Sequence, residues 1–261
     1  MRVWVCELRT RRMCVSRLTH APVPLPTFTN FSDGRVLLRR QVARDQIELL
    51  LSVHEEVRAR HRCAGQFVKV RIAGHEGIFA MWNAPHEDID DEPSFRFLLR
   101  TNNLEGGEAA TRLATAQQGT KVEVSDPAGQ GFGLDRAEKR PLHFVATGTA
   151  IAPIRAGIEE ALIAVNPTSM SLDFGLRSAE HQPLEGDLKR YKSCRVAVHL
   201  HYSTVDAKGV ISGPQAHHAL LDRLTDTNAL IVAVGHSAMV KELREKFVAR
   251  GGKAEDVVSN Y

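Results

Sequence analysis

LHFVATGTAIAPIRAGIEEAL, residues 142–162, reads as two patterns joined by a small turn. Leu142 to Val145 form a largely apolar run, and Ala146 to Ala150 are small and flexible. Ile154, Ile158, Leu162 and Val165 then recur at helical spacing. Strand, glycine turn, helix is how a doubly wound sheet aims a helix N-terminus at a phosphate. Unpaired amides and the positive end of the helix dipole favour an anion there. Gly148 lets the backbone approach a ligand closely, and Pro153 suits a first helical turn, where its missing N–H costs nothing. The spacing is also met by any strand–turn–helix unit, because short glycine motifs recur by chance.

Working outward, strand and helix patterns alternate from Pro141 to the end. Strands are expected at Leu142–Thr147, Met170–Phe174, Arg195–His201 and Ala229–Val234. Helices are expected at Ile154–Val165, around Glu185–Tyr191, at Gln215–Leu224 and at Ala238–Arg250. Such alternation predicts a parallel sheet with helices on both faces. Upstream, from Gly34 to Val124, the pattern is β. RVLLRRQV, IELLLSV, QFVKVRI, GIFAMW, FRFLLR and KVEVS are short runs separated by turn-like or charged stretches, which suggests a small antiparallel barrel. One short helix is expected within Gly106–Gln118, and the glycine-rich Asp126–Leu134 is expected to close the barrel. The fold class is therefore all-β plus α/β: an N-terminal extension over 1–30, an antiparallel barrel over 31–138 and a doubly wound parallel-sheet domain over 139–261.

Composition narrows the function. The 261 residues carry a net charge of +3, too small to argue for nucleic acid or a membrane surface. No apolar run approaches the roughly 20 residues of a membrane span. Cys6, Cys14, Cys63 and Cys194 are scattered, without disulfide-framework, zinc or iron–sulfur spacing, which fits a reducing compartment. Of the twelve histidines, His199 and His201 share a strand face and His217 and His218 are adjacent. No Cys or carboxylate spacing completes a site around them, so no metal is expected. Residues 1–30 hold five arginines, one acid and a Pro-rich exit. That reads as an organelle (plastid or mitochondrial) transit segment, a disordered extension or a misplaced start. The expected location is cytoplasmic, or an organelle if the segment is a transit peptide.

GTAIAPIRA resembles the G-T-G-I-A-P nucleotide turn of the ferredoxin–NADP reductase family. Further pieces follow in that family's order. CAGQFVKVRI resembles its P-G-Q-F-V strand, and GIFAMWNAP stands where R-x-Y-S-I-A-S would fall. FRFLLR with GGEAATRL resembles the strand and helix that hold the flavin pyrophosphate. KVEVSDPAGQGF resembles V-x-V-x-x-P-x-G-x-F, FGLRS the strand end at the adenosine ribose, and AVGHSAMVKEL stands where C-G-P-x-x-M would be.

The resemblance implies FAD on the barrel and NAD(P)H on the second domain, with hydride passing to the flavin and electrons leaving to an acceptor. It implies cofactor contacts at Phe79, Ala80, Met81, Trp82 and Asn83, at Arg100, and at Gly107, Ala109 and Ala110. In the second domain it implies contacts at Gly148, Thr149, Ala150, Ile151 and Ala152, at Arg177, and at Gly235, His236 and Met239. Asn83 and the terminal Tyr261 take the positions nearest the chemistry, Tyr261 by stacking on the flavin or, alternatively, as a frayed end. Arg177 is either a ribose or 2′-phosphate contact or a surface arginine; His236 either contacts nucleotide or meets solvent. With no iron–sulfur segment, the partners implied are a small-molecule nucleotide and an electron acceptor that is either a separate electron-acceptor protein or a small molecule.

Departures from the pattern support an alternative. Gly77 replaces the arginine that pairs with pyrophosphate, Ala80 and Asn83 replace serines, and Trp82 is bulky where a small residue is usual. Glu108 puts a carboxylate at the helix start, Ala150 replaces a glycine, and Val234 replaces the nicotinamide-side cysteine. The alternative is a nucleotide-binding or electron-transfer partner subunit of the same fold, with weakened or lost flavin binding and no catalysis of its own.

Overall fold

The computed structural model describes residues 26–87, 92–102, 107–205 and 211–260. Nearly all of the Arg-rich extension, and Tyr261, lie outside the described residues.

The first sheet contains β1 (Phe31–Ala43), β2 (Gln46–Ser52), β3 (Phe67–Ile72), β4 (His75–Ala80), β5 (Ser94–Arg100) and β6 (Lys121–Ser125). Its order is β4-β3-β6-β1-β2-β5, with antiparallel neighbours throughout. Ala43 pairs with Gln46, leaving a two-residue turn in which Asp45 takes φ 57°, as tight hairpins require. Two short helices accompany this sheet: α1 (Glu55–Ala59) and α2 (Gly107–Thr115). Ala109, Ala110, Leu113 and Ala114 form the buried stripe of α2, which packs on β3, β4 and β5.

The sheet is barrel-like but open, with β4 and β5 as its two edges. GIFAMW leaves the ladder earlier than its pattern suggests, because pairing with β3 ends at Ala80. The chain then crosses the seam. The Trp82 N–H donates to the Arg96 carbonyl at 2.8 Å, and the Arg96 N–H donates to Asn83 Oδ1 at 2.9 Å. A side-chain amide thus supplies the acceptor that a further strand residue would have offered.

Asp126–Leu134 does not close that seam. It pairs with β3 through Phe67 and Ala128, whose backbones exchange bonds of 3.0 and 2.8 Å. It then delivers Phe132 to a slot between Gly65 and Gly157. A Cβ on Gly65 would stand 2.8 Å from the Phe132 ring, and one on Gly157 3.3 Å from it.

The second sheet contains β7 (Pro141–Thr147), β8 (Ser169–Leu176) and β9 (Val196–Tyr202). After a small hairpin, β10 (Thr204–Val205) with β11 (Ile211–Ser212), it is completed by β12 (Leu230–Val234) and β13 (Val257–Val258). The order is β13-β12-β7-β8-β9, all parallel. Helices α3 (Ile151–Ala164), α4 (Glu185–Ser193), α5 (Ala216–Arg223) and α6 (Ser237–Ala249) connect it. Alternation along the strands decides which face each residue meets. Phe144, Ala146, Val232 and Val234 pack with α3 and α4, whereas Val145, Ile231 and Ala233 pack with α5 and α6. β10, β11 and β13 have two residues each, too few to show a period, and the sequence pattern does not reveal them. Among the described residues no helix is long and apolar enough to cross a membrane.

The two sheets share a core. Ala64, Trp82, Leu98 and Phe132 belong to one buried cluster with Ile151, Ala152 and Ala156. The β1–β2 turn also docks: the Arg44 N–H donates to the Glu180 carbonyl at 2.8 Å, and Gln46 Nε2 donates to the His181 carbonyl at 2.7 Å.

Candidate functional site

The chain runs from β7 to β8 and β9 on one side, then returns to β12 on the other, so the order switches between β7 and β12. At such a switch the carboxyl ends of neighbouring strands diverge and leave a crevice. Two glycines flank it. Gly148 follows β7 at φ 57°, inside a single 3₁₀ turn (Gly148–Ala150) that runs into α3. A Cβ there would collide with the Arg100 guanidinium, which reaches over from the end of β5. Gly235 follows β12 at φ 150°, where a Cβ would collide with Thr147 Oγ1 and stand 3.3 Å from Met239 Cε. Side chains are excluded at both positions, which leaves backbone amides facing the crevice.

The other expected contacts separate into backing and rim. Ile151 and Ala152 are buried beneath the turn, and Met239 is buried under α6. These residues shape the crevice; their side chains do not face it. Ala150 packs on the shared core, while Thr149 remains half-exposed. His236 is exposed at the N-cap of α6, and Arg177 is exposed just past β8.

On the barrel side, Phe79 and Met81 belong to the barrel core. The Phe79 ring meets Phe97 edge-on, with centroids 6.2 Å apart. Gly77 backs onto α2: a Cβ there would lie 3.2 Å from Ala109 Cβ and 3.0 Å from the Phe79 ring. Ala109 and Ala110 are themselves buried, so only their amides could serve a ligand. Gly107 opens α2 at φ 74° with nothing around it, and Ala80 is half-exposed. Glu108 is drawn along the helix into an ion pair with Arg112 at 3.0 Å, which removes much of its expected repulsion of a phosphate.

Trp82 and Asn83 stand where the two sheets meet, 5% and 1% exposed. Trp82 Nε1 and Asn83 Nδ2 are buried with no hydrogen-bond partner among the described residues. Buried donors without partners are costly, so this strand end suits an acceptor-rich ring edge. With Gly107, the α2 amides and Arg100, the donor set fits a flavin nucleotide; the Gly148 turn fits a second, dinucleotide phosphate.

One constellation has no signal in the sequence. Arg155 of α3 is buried and donates through Nη1 and Nη2 to the two oxygens of Glu87, at 2.7 and 2.6 Å. Its Nε reaches Asp187 at 3.2 Å, and the Trp82 carbonyl lies 3.5 Å from Nη1. Glu159 accepts from Tyr191 at 2.7 Å and pairs with Arg190. Burial pulls the Arg155 pKa down, but Glu87 and Asp187 outweigh it and hold the guanidinium above its ordinary value. Burial pushes Glu87 up, and Arg155 outweighs that, so the carboxylate stays ionised. A bidentate pair is geometrically specific. This one sets the nucleotide helix against the chain that follows Trp82 and Asn83. Its partners lie 68 and 32 residues away in the chain, a separation that no local pattern reveals.

No protein-family model matches the chain. It is similar to the electron transfer subunit of dihydroorotate dehydrogenase B (NAD(+)) from Shouchella clausii, 32% identical over 125 residues, 46% of each protein. It is also similar to reductase component 1 of terephthalate 1,2-dioxygenase from Comamonas sp, 28% identical over 116 residues, 44% of this chain and 32% of that one. The chain thus spans less than half the length of these relatives. Among solved structures, the Amycolatopsis cytochrome P450 reductase GcoB superposes with a TM-score of 0.73 at 21% identity, over 92% of this chain and 71% of that one. A ferredoxin NADP+ reductase from Neisseria gonorrhoeae, with bound FAD and NADP, superposes at 0.72 and 16% identity, over 88% of this chain and 98% of that one.

Proposed function

We propose that this chain, which has the ferredoxin–NADP reductase-like fold, is a flavin-dependent oxidoreductase. It passes a hydride from NAD(P)H to FAD and electrons on to a separate acceptor protein. The observation that carries the reading is the Arg100 guanidinium placed against the Gly148 turn, which brings the end of the barrel strand leading to α2 onto the dinucleotide crevice. In this reading 31–138 is the flavin domain and 139–261 the nucleotide domain. The relatives named as an electron transfer subunit and a reductase component support a separate acceptor.

FAD, when bound, supplies an acceptor for two electrons that can release them singly. The protein's own part is binding, orientation and exclusion of water. The amides of Gly148–Ala150 and the positive end of α3 hold the dinucleotide pyrophosphate. Gly107, the first α2 amides and Arg100 hold the flavin pyrophosphate, with Arg100 in place of the charge missing at Gly77. Trp82 Nε1 and Asn83 Nδ2 donate to the ring edge. Gly235 leaves room for the nicotinamide end beside His236, and Arg177 borders the adenosine end. Phe79, Met81, Ile151, Ala152 and Met239 support these groups from behind. The Arg155–Glu87 pair holds the two half-sites in register.

Gly77 favours a second reading. It is packed tightly against Phe79 and Ala109, so the place of the pyrophosphate-binding arginine is lost and not merely exchanged. A chain that had given up FAD would be a nucleotide-binding or electron-transfer partner subunit. A visible absorption spectrum of purified protein mixed with FAD separates the two readings. The expected result is a protein-bound flavin band that bleaches anaerobically with NADH or NADPH. No bound band after adding FAD would overturn the enzyme reading in favour of the subunit.

A further inference from the structure

α5 and α6 lie side by side on one face of the parallel sheet, over a core that includes Leu220, Leu221, Val240 and Leu243. At the edge of that contact three side chains converge. His217 Nε2 lies 3.1 Å from Glu242 Oε2, and His218 Nε2 lies 2.8 Å from Glu242 Oε1. The ligand-type atoms of all three lie within 4.8 Å of one another, and among the described residues no other His/Cys/Asp/Glu group meets that condition. The imidazoles lie with centroids 4.1 Å apart and planes tilted by 44°, His217 buried and His218 on the rim.

The hydrogen bonds of this cluster cannot all be satisfied. Lys246 Nζ stands 2.7 Å from Glu242 Oε1 and 3.1 Å from His218 Nε2. If His218 Nε2 carries a proton, it donates to the carboxylate and turns no lone pair to the ammonium. If it is bare, it accepts from the ammonium and sets its lone pair against a carboxylate oxygen. Lone pairs therefore converge on a point where the chain's own cation is a half-exposed lysine on a flexible stem. One cation that binds all three groups removes the conflict.

We propose that His217, His218 and Glu242 form a site for a divalent transition metal of the zinc class, which joins α5 to α6 and displaces the Lys246 ammonium. Two imidazoles and a carboxylate, without thiolate, suit zinc, cobalt, nickel or copper and not magnesium or calcium. Tetrahedral bonds of about 2.0–2.2 Å place ligand atoms roughly 3.4 Å apart, near the two His–Glu separations of 3.1 and 2.8 Å, with all three groups already inside 4.8 Å. Three protein ligands leave one position for water. The site lies on the same helix as His236, so a metal here braces the element whose N-terminus borders the nucleotide crevice.

The test uses the full chain, stripped with chelator and titrated calorimetrically with Zn²⁺, with Co²⁺ as the spectroscopic probe. The expected result is one equivalent bound, with tetrahedral Co²⁺ bands that lack thiolate charge transfer. His218→Gln, at a part-exposed position, should weaken binding by at least about ten-fold, as loss of a ligand does. Lys246→Met should tighten it by about five-fold, because a competing charge at contact distance is removed. A purely structural hydrogen-bond cluster would lose stability in both variants and would show no such opposite shifts. Absence of stoichiometric binding, thiolate bands in the cobalt spectrum, or Zn²⁺ affinity unchanged by both substitutions would each overturn the site.

Discussion

The turn at Gly148 and the turn at Gly107 have the same local chemistry. Each places a glycine of positive φ at the start of a helix that follows a strand. They differ in what holds them. Ten of the fourteen residues of α3 are buried, including the charged Arg155 and Glu159, and its turn is pressed by Arg100 from the other sheet. Only four of the nine residues of α2 are buried, a Cβ on its glycine would meet no described atom within 4 Å, and the Glu108–Arg112 ion pair is exposed. The α3 turn is thus held by its own chain before any phosphate arrives, whereas fewer contacts among the described residues hold the α2 turn. Preorganisation of this kind lowers the entropy cost of binding.

The strongest way to break that contrast is Arg155→Met. Removing one partner of a buried ionic network leaves Glu87 and Asp187 uncompensated, and the expected loss is about 3–5 kcal/mol in denaturant unfolding. The matching change on the other helix, Arg112→Met, cuts an exposed pair and should cost less than about 1 kcal/mol. Equal losses would mean that α3 is no better anchored than α2.

Acid probes both sheets through buried histidines. His61, in the loop before β3, is held down at about 3 by burial and by the nearby Arg58. As pH falls below 6.5 the unfolded imidazole takes a proton that the folded one refuses until about pH 3. The stability is therefore complete above pH 6.5 and declines across that window, by up to about 1.4 kcal/mol per pH unit. His61→Phe should flatten the decline. A profile of unchanged slope in the variant would remove His61 from the account. His143 on β7 is also lowered, first by burial, so acid weakens the second sheet in the same direction.

Gly148→Ala and Gly107→Ala sharpen the comparison directly. Both impose a left-handed backbone on alanine, at about 1–2 kcal/mol. Gly148→Ala alone also displaces the Arg100 guanidinium. Because the added methyl also disturbs the turn whose amides hold the dinucleotide pyrophosphate, it should weaken NAD(P)H binding about ten-fold or more by calorimetry, the worth of one hydrogen bond to a charged group. Gly107→Ala should leave that affinity unchanged. Asn83→Ala orphans the Arg96 N–H at the barrel seam and should cost about 1–2 kcal/mol. Turnover should fall as well, since Asn83 Nδ2 is placed at the ring edge; unchanged turnover would remove Asn83 from that edge.

Much of the fold was legible because its signals are short-range. Short strand-like runs between turn-like or charged stretches located four of the six antiparallel strands to within a residue, β1 begins four residues before its run, and the change of pattern at Gly148 marked strand, turn and helix to within a few residues. GIFAMW was read two residues too far, since nothing local announces that Trp82 and Asn83 leave the ladder to bridge Arg96. The site divides in the same way. Gly148, Gly235 and Gly107 can be picked out as glycines near helix starts, whereas the burial of Phe79 in the barrel core, against Phe97, is invisible in a motif. Tyr261 lies outside the described residues, so its expected stacking remains a proposal.

The sequence by itself determined the sequence of elements, one antiparallel half and one parallel half, because propensity, periodicity and turn chemistry act over a few residues. Only the tertiary structure decided that Phe132 fits between Gly65 and Gly157, that Arg155 meets Glu87, and that Glu242 faces His217 and His218. Those partners are separated by up to 92 residues and share no local pattern. What selects them is close packing and the cost of leaving a buried charge or donor alone, and both exist only once the chain has closed on itself.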